Sequence, residues 1–244
     1  MEFVRPVHWV VAMLGTDWNH GEILGLPTGN ITRGHRFHSA GDITLKRPED
    51  YPGLLAEARV IASFEERRAM IREQVEVEAS ALQATAVIDP DLLDEVTGLV
   101  EWPVALTGNF EERFLAVPAE ALVSSMKEHQ KYFHLVDGEG RLLPHFITIS
   151  NIESKDPIQV IRGNERVIRP RLSDAAFFFE TDKKRSLHSR IDGLRNIVFQ
   201  QQLGTVYDKS RRVSALAGRL AEMLGTDVAA AERAGLLCKA DLGT

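Results

Sequence analysis

One cysteine, Cys238, stands in a chain of 244 residues. No internal disulfide is available, and a lone thiol fits a reducing compartment. The cytoplasm is the expected location. No apolar run approaches the roughly 18 residues that a membrane helix needs. The longest, VHWVVAML at residues 7–14, is short and holds the polar His8. No membrane partner is expected. No basic, apolar and small-residue leader opens the chain. Glycine-rich phosphate loops are missing too. GTVYDKS, residues 204–210, brings Lys209 beside Ser210, but Leu203 and Asp208 stand where such a loop needs glycine. Asp208 would also repel a phosphate, so no nucleotide is expected on this stretch. No Ser, His and Asp spacing supports nucleophilic catalysis. His35 and His38 lie in GHRFH without a cysteine or carboxylate at ligand spacing, which disfavours a metal. His8, His129, His134 and His145 read as ordinary hydrogen-bonded side chains.

What is present is ordinary for a water-soluble globular chain: 44% hydrophobic and 26% charged residues. The length suffices for one large domain or two small ones. VHWVVAML reads as a buried strand, with shorter strands in EILGL and ITRGHRFH. Residues 48–59 read as a short helix. Ser63, with Glu66 three residues on, forms a capping box for a longer one. That helix carries Phe64, Ile71, Val75, Ala79 and Leu82 on one face. Asp89 and Pro90 open a helix bearing Leu92, Leu93, Val96 and Leu99. A strand is expected at 102–106 and a helix from Pro118 to about Lys127. Asp137-Gly138-Glu139-Gly140 is a hairpin signal between strands at 131–136 and 143–150. Past Asn164 the strands stop and helix follows helix. Ser186 caps one, Val206 to Leu224 makes another closed by Gly225, and Asp227 caps the last.

A local excess of positive charge lies between Arg162 and Arg190. Eight basic residues there, Arg162, Arg166, Arg169, Arg171, Lys183, Lys184, Arg185 and Arg190, face Glu165, Asp174, Glu180 and Asp182. The window carries +4 on a chain of net −6. Such an excess suits a polyanion or an acidic partner. On a helix, Arg162, Arg166 and Arg169 share a face that could follow a phosphate backbone or grip carboxylates. On the residues alone, a solvated face with local pairs such as Glu165 to Arg169 accounts for them. Phe177, Phe178 and Phe179 follow one another, so at least two should be buried, with base stacking the alternative.

Several strings carry a family resemblance in collinear order. They are FVRPVHWVVAMLG (3–15), TRGHRFH (32–38), LLDEVTGLVEWPVAL (92–106), EHQKYF (128–133), FITISNIES (146–154), GNERVIRPRLSDAAFFFETD (163–182), FQQQLGTVYDKSRRV (199–213) and CKADL (238–242). Together they resemble the β subunit of the bacterial heterotetrameric glycyl-tRNA synthetase. The resemblance implies an internal segment of a longer subunit, opening just after Met1 and truncated at its C-terminal helices. It implies an α+β fold: a mixed, sheet-containing B3/B4-like module over residues 1–155, then an all-α, HD-like helical domain over 156–244. In HD phosphohydrolases a His-Asp pair holds a metal, and here Ala240 and Asp241 stand at that pair. Tyr207-Asp208-Lys209 replaces the first-helix histidine, so the metal and the hydrolysis should be lost. The implied role is non-catalytic. The segment contributes to tRNA(Gly) binding and α₂β₂ assembly in an enzyme that glycylates tRNA with ATP and Mg²⁺, the active site belonging to the α subunit. Arg162, Arg166, Arg169, Arg171, Lys183, Lys184 and Arg185 are the candidates for meeting tRNA or the α subunit. An HD-type phosphohydrolase and a purely structural connector are the alternatives.

Overall fold

The computed structural model describes residues 7–243. Met1, residues 3–6 of the first string and Thr244 at the expected truncation lie outside the described residues. The chain divides into two compact units between Ala175 and Ala176.

The first unit opens with small strand pairs. β1 (Val10–Val11) runs parallel to β5 (Leu26–Gly29), which also pairs antiparallel with β4 (Glu22–Ile23). β2 (Met13–Leu14) folds back on β3 (Asp17–Trp18), and β6 (Ile31–Arg33) on β7 (Asp42–Thr44). The strand expected at residues 7–14 is therefore broken rather than buried. Gly15, at φ +60°, reverses the chain directly after β2, and Leu14 and Trp9 are 87% and 42% exposed. Pro48–Asp50 is a 3₁₀ turn leading into α1 (Tyr51–Glu57).

The main core lies between two helices and an antiparallel sheet. α2 (Phe64–Ala81) begins where the Ser63 hydroxyl accepts the Glu66 N–H. α3 (Pro90–Leu99) begins where Asp89 accepts the N–H groups of Asp91 and Leu92. The sheet is ordered β8 (Thr85–Ala86), β10 (Phe133–Val136), β11 (Leu142–Ser150), β9 (Val104–Asn109). Ile71, Val75 and Ala79 of α2 and Leu92, Leu93 and Val96 of α3 bury against Ala105, Phe133, Leu135 and Ile147. The ends of both apolar stripes are less covered than their spacing suggests: Phe64, Leu82 and Leu99 are exposed. Gln74 of α2 accepts the Ala105 N–H and donates to the Pro103 carbonyl, covering backbone groups on the β9 edge.

Alternation turns Phe146 to the sheet's other face. There its ring stacks on Tyr132 with centroids 4.5 Å apart. The Tyr132 hydroxyl donates to Asn164 of α5 (Pro157–Lys183) at 2.7 Å, and Glu165 of α5 accepts the Asn109 N–H. Burial pushes the Tyr132 phenol up to about 12. α5 carries the division point between the two units.

The second unit contains a 3₁₀ run His188–Asn196, a hairpin of β12 (Val198–Gln200) and β13 (Gly204–Thr205), α6 (Val206–Met223), α7 (Val228–Leu237) and a 3₁₀ turn Ala240–Gly243. It is therefore not all-α. The reason is local: the Gln200 side-chain oxygen accepts the N–H groups of Gln202 and Leu203, and Gly204 adopts φ +83°. Those bonds close a turn between the helices expected at 187–198 and 206–224, and the first of these is instead a 3₁₀ run at His188–Asn196 followed by a strand. Gly225, at φ +66°, follows the end of α6, and Asp227 caps α7 through the Ala230 N–H. Gly235 lets α7 approach α6 closely, since a Cβ there would lie 2.7 Å from the Ser214 Cα.

The α3 cap also sets an acid response. The Lys127 ammonium, 2.7 Å away, and then the Leu92 N–H hold the Asp89 carboxyl below the usual carboxylate range. Its folded pKa lies under the unfolded value of about 4. The cap's contribution is thus complete above about pH 4 and is lost as pH falls through the folded value. His134, held low by burial and then by the Lys127 charge, adds an earlier loss below about pH 6.5. We expect the urea midpoint to fall from pH 7 to pH 3. Asp89→Asn, which keeps a cap oxygen but cannot titrate, should flatten the lower part of that curve. An unchanged slope would exclude Asp89 as a contributor.

Candidate functional site

The cationic candidates separate into two sets, one in each unit. In the first unit, α5 packs Ile168 and Leu172 inward, both fully buried. Arg162, Arg166 and Arg169 are exposed along one flank of that buried face and span roughly 60° of the helix circumference. Arg171 is also exposed but points to the other flank, so the four do not form one row. Arg169 pairs with Glu111 at 2.8 Å, not with Glu165 as spacing suggests. Glu165 is already engaged by the Asn109 N–H. Arg162, Arg166 and Arg171 make no ion pair among the described residues.

In the second unit, Lys183 pairs with Glu180 at 3.0 Å and lies over the Phe179 ring. Arg185 donates to the Ser189 carbonyl, and Lys184 is exposed. Arg190 differs from all of these. It is 7% exposed, and its guanidinium donates to the Asp182 carboxylate and carbonyl and to the Gly243 carbonyl. It is a structural clamp rather than a surface cation. Phe177 and Phe178 depart from the expectation of burial: they are 64% and 63% exposed, meeting edge to face at 5.6 Å. Within this unit no described element packs over them.

The nucleotide-like stretch at residues 204–210 has a structural explanation. The Asp208 carboxylate accepts the Thr205 N–H and hydroxyl, and the Thr205 hydroxyl accepts the Asp208 N–H. This capping box, led by the Thr205 N–H, also holds the Asp208 carboxyl below its ordinary range. The anion at the start of α6 is the protein's own, so these residues do not fit a bound phosphate. At the tail, Ala240 is fully buried and Asp241 is exposed. Among the described residues, no group of three or more His, Cys, Asp or Glu side chains could hold a metal ion. The paired histidines of GHRFH serve a loop contact. His35 hydrogen-bonds the Asn151 carbonyl at 2.6 Å, and His38 accepts the Glu153 N–H.

Sequence reasoning does not single out one further feature. A cavity of about 830 Å³ in the first unit is lined by His8, Trp9, Thr32, Arg33, Arg36 and Asp42, among others. The Trp9 indole N–H donates to the Thr32 hydroxyl at 3.2 Å. Arg33 lies over the Trp9 ring at 5.6 Å and pairs with Asp42 at 2.9 Å. Basic and aromatic residues interleaved in TRGHRFH are the signal that could have found it.

The structure is thus a mixed α+β unit, a second largely helical unit and exposed arginines on a long helix. Comparison with known proteins narrows the class to a family. The glycyl-tRNA synthetase β-subunit profile matches residues 1–244, and the chain belongs to that family. The glycine–tRNA ligase β subunit of Hahella chejuensis is 60% identical over 244 residues, covering 100% of this chain and 35% of that protein. The corresponding β subunit of Chromohalobacter salexigens is 58% identical over 243 residues, with 100% and 35% coverage. That of Stutzerimonas stutzeri is 56% identical over 243 residues, with 100% and 36% coverage. The chain therefore spans about a third of the length of the curated relatives it matches. No helix among the described residues is long and apolar enough to cross a membrane.

Proposed function

We propose that this chain is the part of a glycine–tRNA ligase β subunit that helps hold tRNA(Gly) and joins the subunits of an α₂β₂ enzyme. In that reading residues 1–155 are a B3/B4-like module and 156–244 begin a degenerate HD-like domain, with Ala240 and Asp241 at the lost metal pair. The whole enzyme glycylates tRNA in the cytoplasm with ATP and Mg²⁺. This chain supplies positioning and no reacting group.

One observation carries the reading. Arg162 and Arg166 sit together on an exposed face of α5, without ion pairs among the described residues, while the opposite face is fixed to the sheet. Guanidinium groups presented on a rigid helix suit a phosphate backbone, where contacts position without reading sequence. Arg169, Arg171, Lys183, Lys184 and Arg185 are the further candidates, and the α subunit competes for the same side chains.

The test is a tRNA gel shift across a salt series, with and without the α subunit. The double variant Arg162→Glu/Arg166→Glu should bind tRNA at least tenfold more weakly at low salt. It should also reduce the slope of log affinity against log salt by about 2. Unchanged affinity at equal salt removes this face as the contact. Lost α-subunit binding with tRNA binding intact makes the face a protein interface.

A further inference from the structure

The geometry points to a second nucleic-acid contact in the first unit: the cavity beside Trp9 receives one unstacked nucleotide, its base against the indole and its phosphate on Arg36. The inference deepens the reading of this chain as an RNA-binding segment but rests on different residues from the α5 face.

Three features of the cavity argue for this occupant. The first is a preset aromatic wall. Trp9 is partly exposed, yet its orientation is held by the N–H bond to Thr32 and by Arg33 over its ring. Arg33 is itself held by Asp42. An indole already fixed loses little freedom when a base stacks on it. The second is a single available cation. Arg33 spends its charge on Asp42, whereas Arg36 lines the cavity, is exposed and makes no ion pair among the described residues. The third is size and polarity. About 830 Å³ lies within the range of pockets that take small organic ligands, and Thr32, Ser39 and His8 supply hydrogen-bonding groups around it. Arg36 lies over the Phe37 ring at 5.7 Å but is in no ion pair among the described residues, and an aromatic wall beside such a guanidinium is the arrangement that holds a base and its phosphate in single-stranded nucleic acid. A duplex offers no free base face to such a wall.

The occupant's chemistry, a base joined to a phosphate, comes either from an RNA strand or from a free mononucleotide. The experiment separates them. A fluorescein-labelled single-stranded hexaadenylate is titrated by anisotropy with the full chain, alone, as a duplex with its complement, and in competition with AMP. Trp9→Ala and Arg36→Glu should each weaken binding of the single strand about tenfold or more. Trp9→Phe and Arg36→Lys, which keep the ring and the charge, should retain most of it. The duplex should bind at least tenfold more weakly. Competition by AMP with the same dependence on Trp9 assigns the cavity to a free nucleotide; failure of AMP to compete assigns it to the strand.

Equal single-strand affinity for Arg36→Glu, Trp9→Phe and the parent, together with an unchanged Trp9→Ala, overturns the inference. So does equal affinity for duplex and single strand, or loss of α-subunit binding in the cavity variants with RNA binding intact. The α5 double variant distinguishes the two failures. If it weakens tRNA binding while the cavity variants leave hexamer binding alone, the cavity inference fails and the α5 reading stands. The reverse pattern removes only the α5 reading.

Discussion

Gly108→Val should cost the first unit about 3 kcal/mol. For a unit of this size that corresponds to a fall in Tm of about 6–12 °C. Gly108 sits in β9 directly across from Phe146 in β11. A Cβ there would lie 2.9 Å from one Phe146 ring carbon, 3.0 Å from a second and closer still to a third. The ring cannot step aside. It is fully buried, and Tyr132 stacks on it while bonding Asn164 of α5. Valine must therefore move a strand or break the stack that docks α5. Gly98→Ala is the control. Gly98 lies in α3 with nothing within 4 Å of its would-be Cβ, so alanine there should be neutral or stabilising by up to about 1 kcal/mol. Phe146→Leu should partly rescue Gly108→Val by vacating the space. Melting curves of the three variants decide it, and a Gly108→Val protein that melts with the parent would show that the strand yields freely.

Asp182→Ala should open the second unit. Arg190 is 7% exposed and its charge is met by the Asp182 carboxylate at 3.0 Å and by two carbonyl oxygens. Removing the carboxylate leaves a buried cation with neutral partners only. A fully buried pair broken this way costs about 3–5 kcal/mol. The Asp182 side chain is 39% exposed, so water softens the loss and about 2 kcal/mol is the expected size. Asp182→Ala/Arg190→Met removes the orphaned charge and should recover most of the stability. Amide hydrogen exchange in α6 and α7 reads this directly, because Trp9, Trp18 and Trp102 all belong to the first unit. Equal protection in Asp182→Ala and the parent would mean the pair contributes nothing net.

Legibility from sequence follows the range of the interaction. The caps at Ser63, Asp89 and Asp227 form through bonds that span three residues or fewer, although of the box expected at Ser63 and Glu66 only the serine half is made. The hairpin around residues 137–140 is local in the same way: Asp137 accepts the N–H groups of Glu139 and Arg141. Apolar periodicity identified Ile71, Val75 and Ala79 as core. Its failures come where a stripe outruns its partner, as at Leu99. The run at residues 7–14 misleads for another reason. Val and Trp suit a strand, but the run is divided between two partners, Val10–Val11 pairing with β5 and Met13–Leu14 with β3. The β12–β13 hairpin was hidden because a glutamine side chain, not a glycine pair, closes its turn.

The candidate site was half legible. Sequence located the cluster of cations and placed three arginines on one helix face. It paired Arg169 with the wrong carboxylate, because the true partner, Glu111, is 58 positions away in the chain. It grouped Arg190 with surface cations for the same reason: Gly243, which helps bury it, lies 53 positions further on.

Residue order alone determined the family, the starts of α2, α3 and α7 and the excess of positive charge between Arg162 and Arg190. Tertiary structure alone decided which of those charges remain available, that Phe177 and Phe178 stay uncovered within their unit, and that Trp9 lines a cavity. Caps and helical faces depend on neighbours a few residues apart, which the sequence lists directly. Charge pairing and exposure depend on groups that only the folded path brings together.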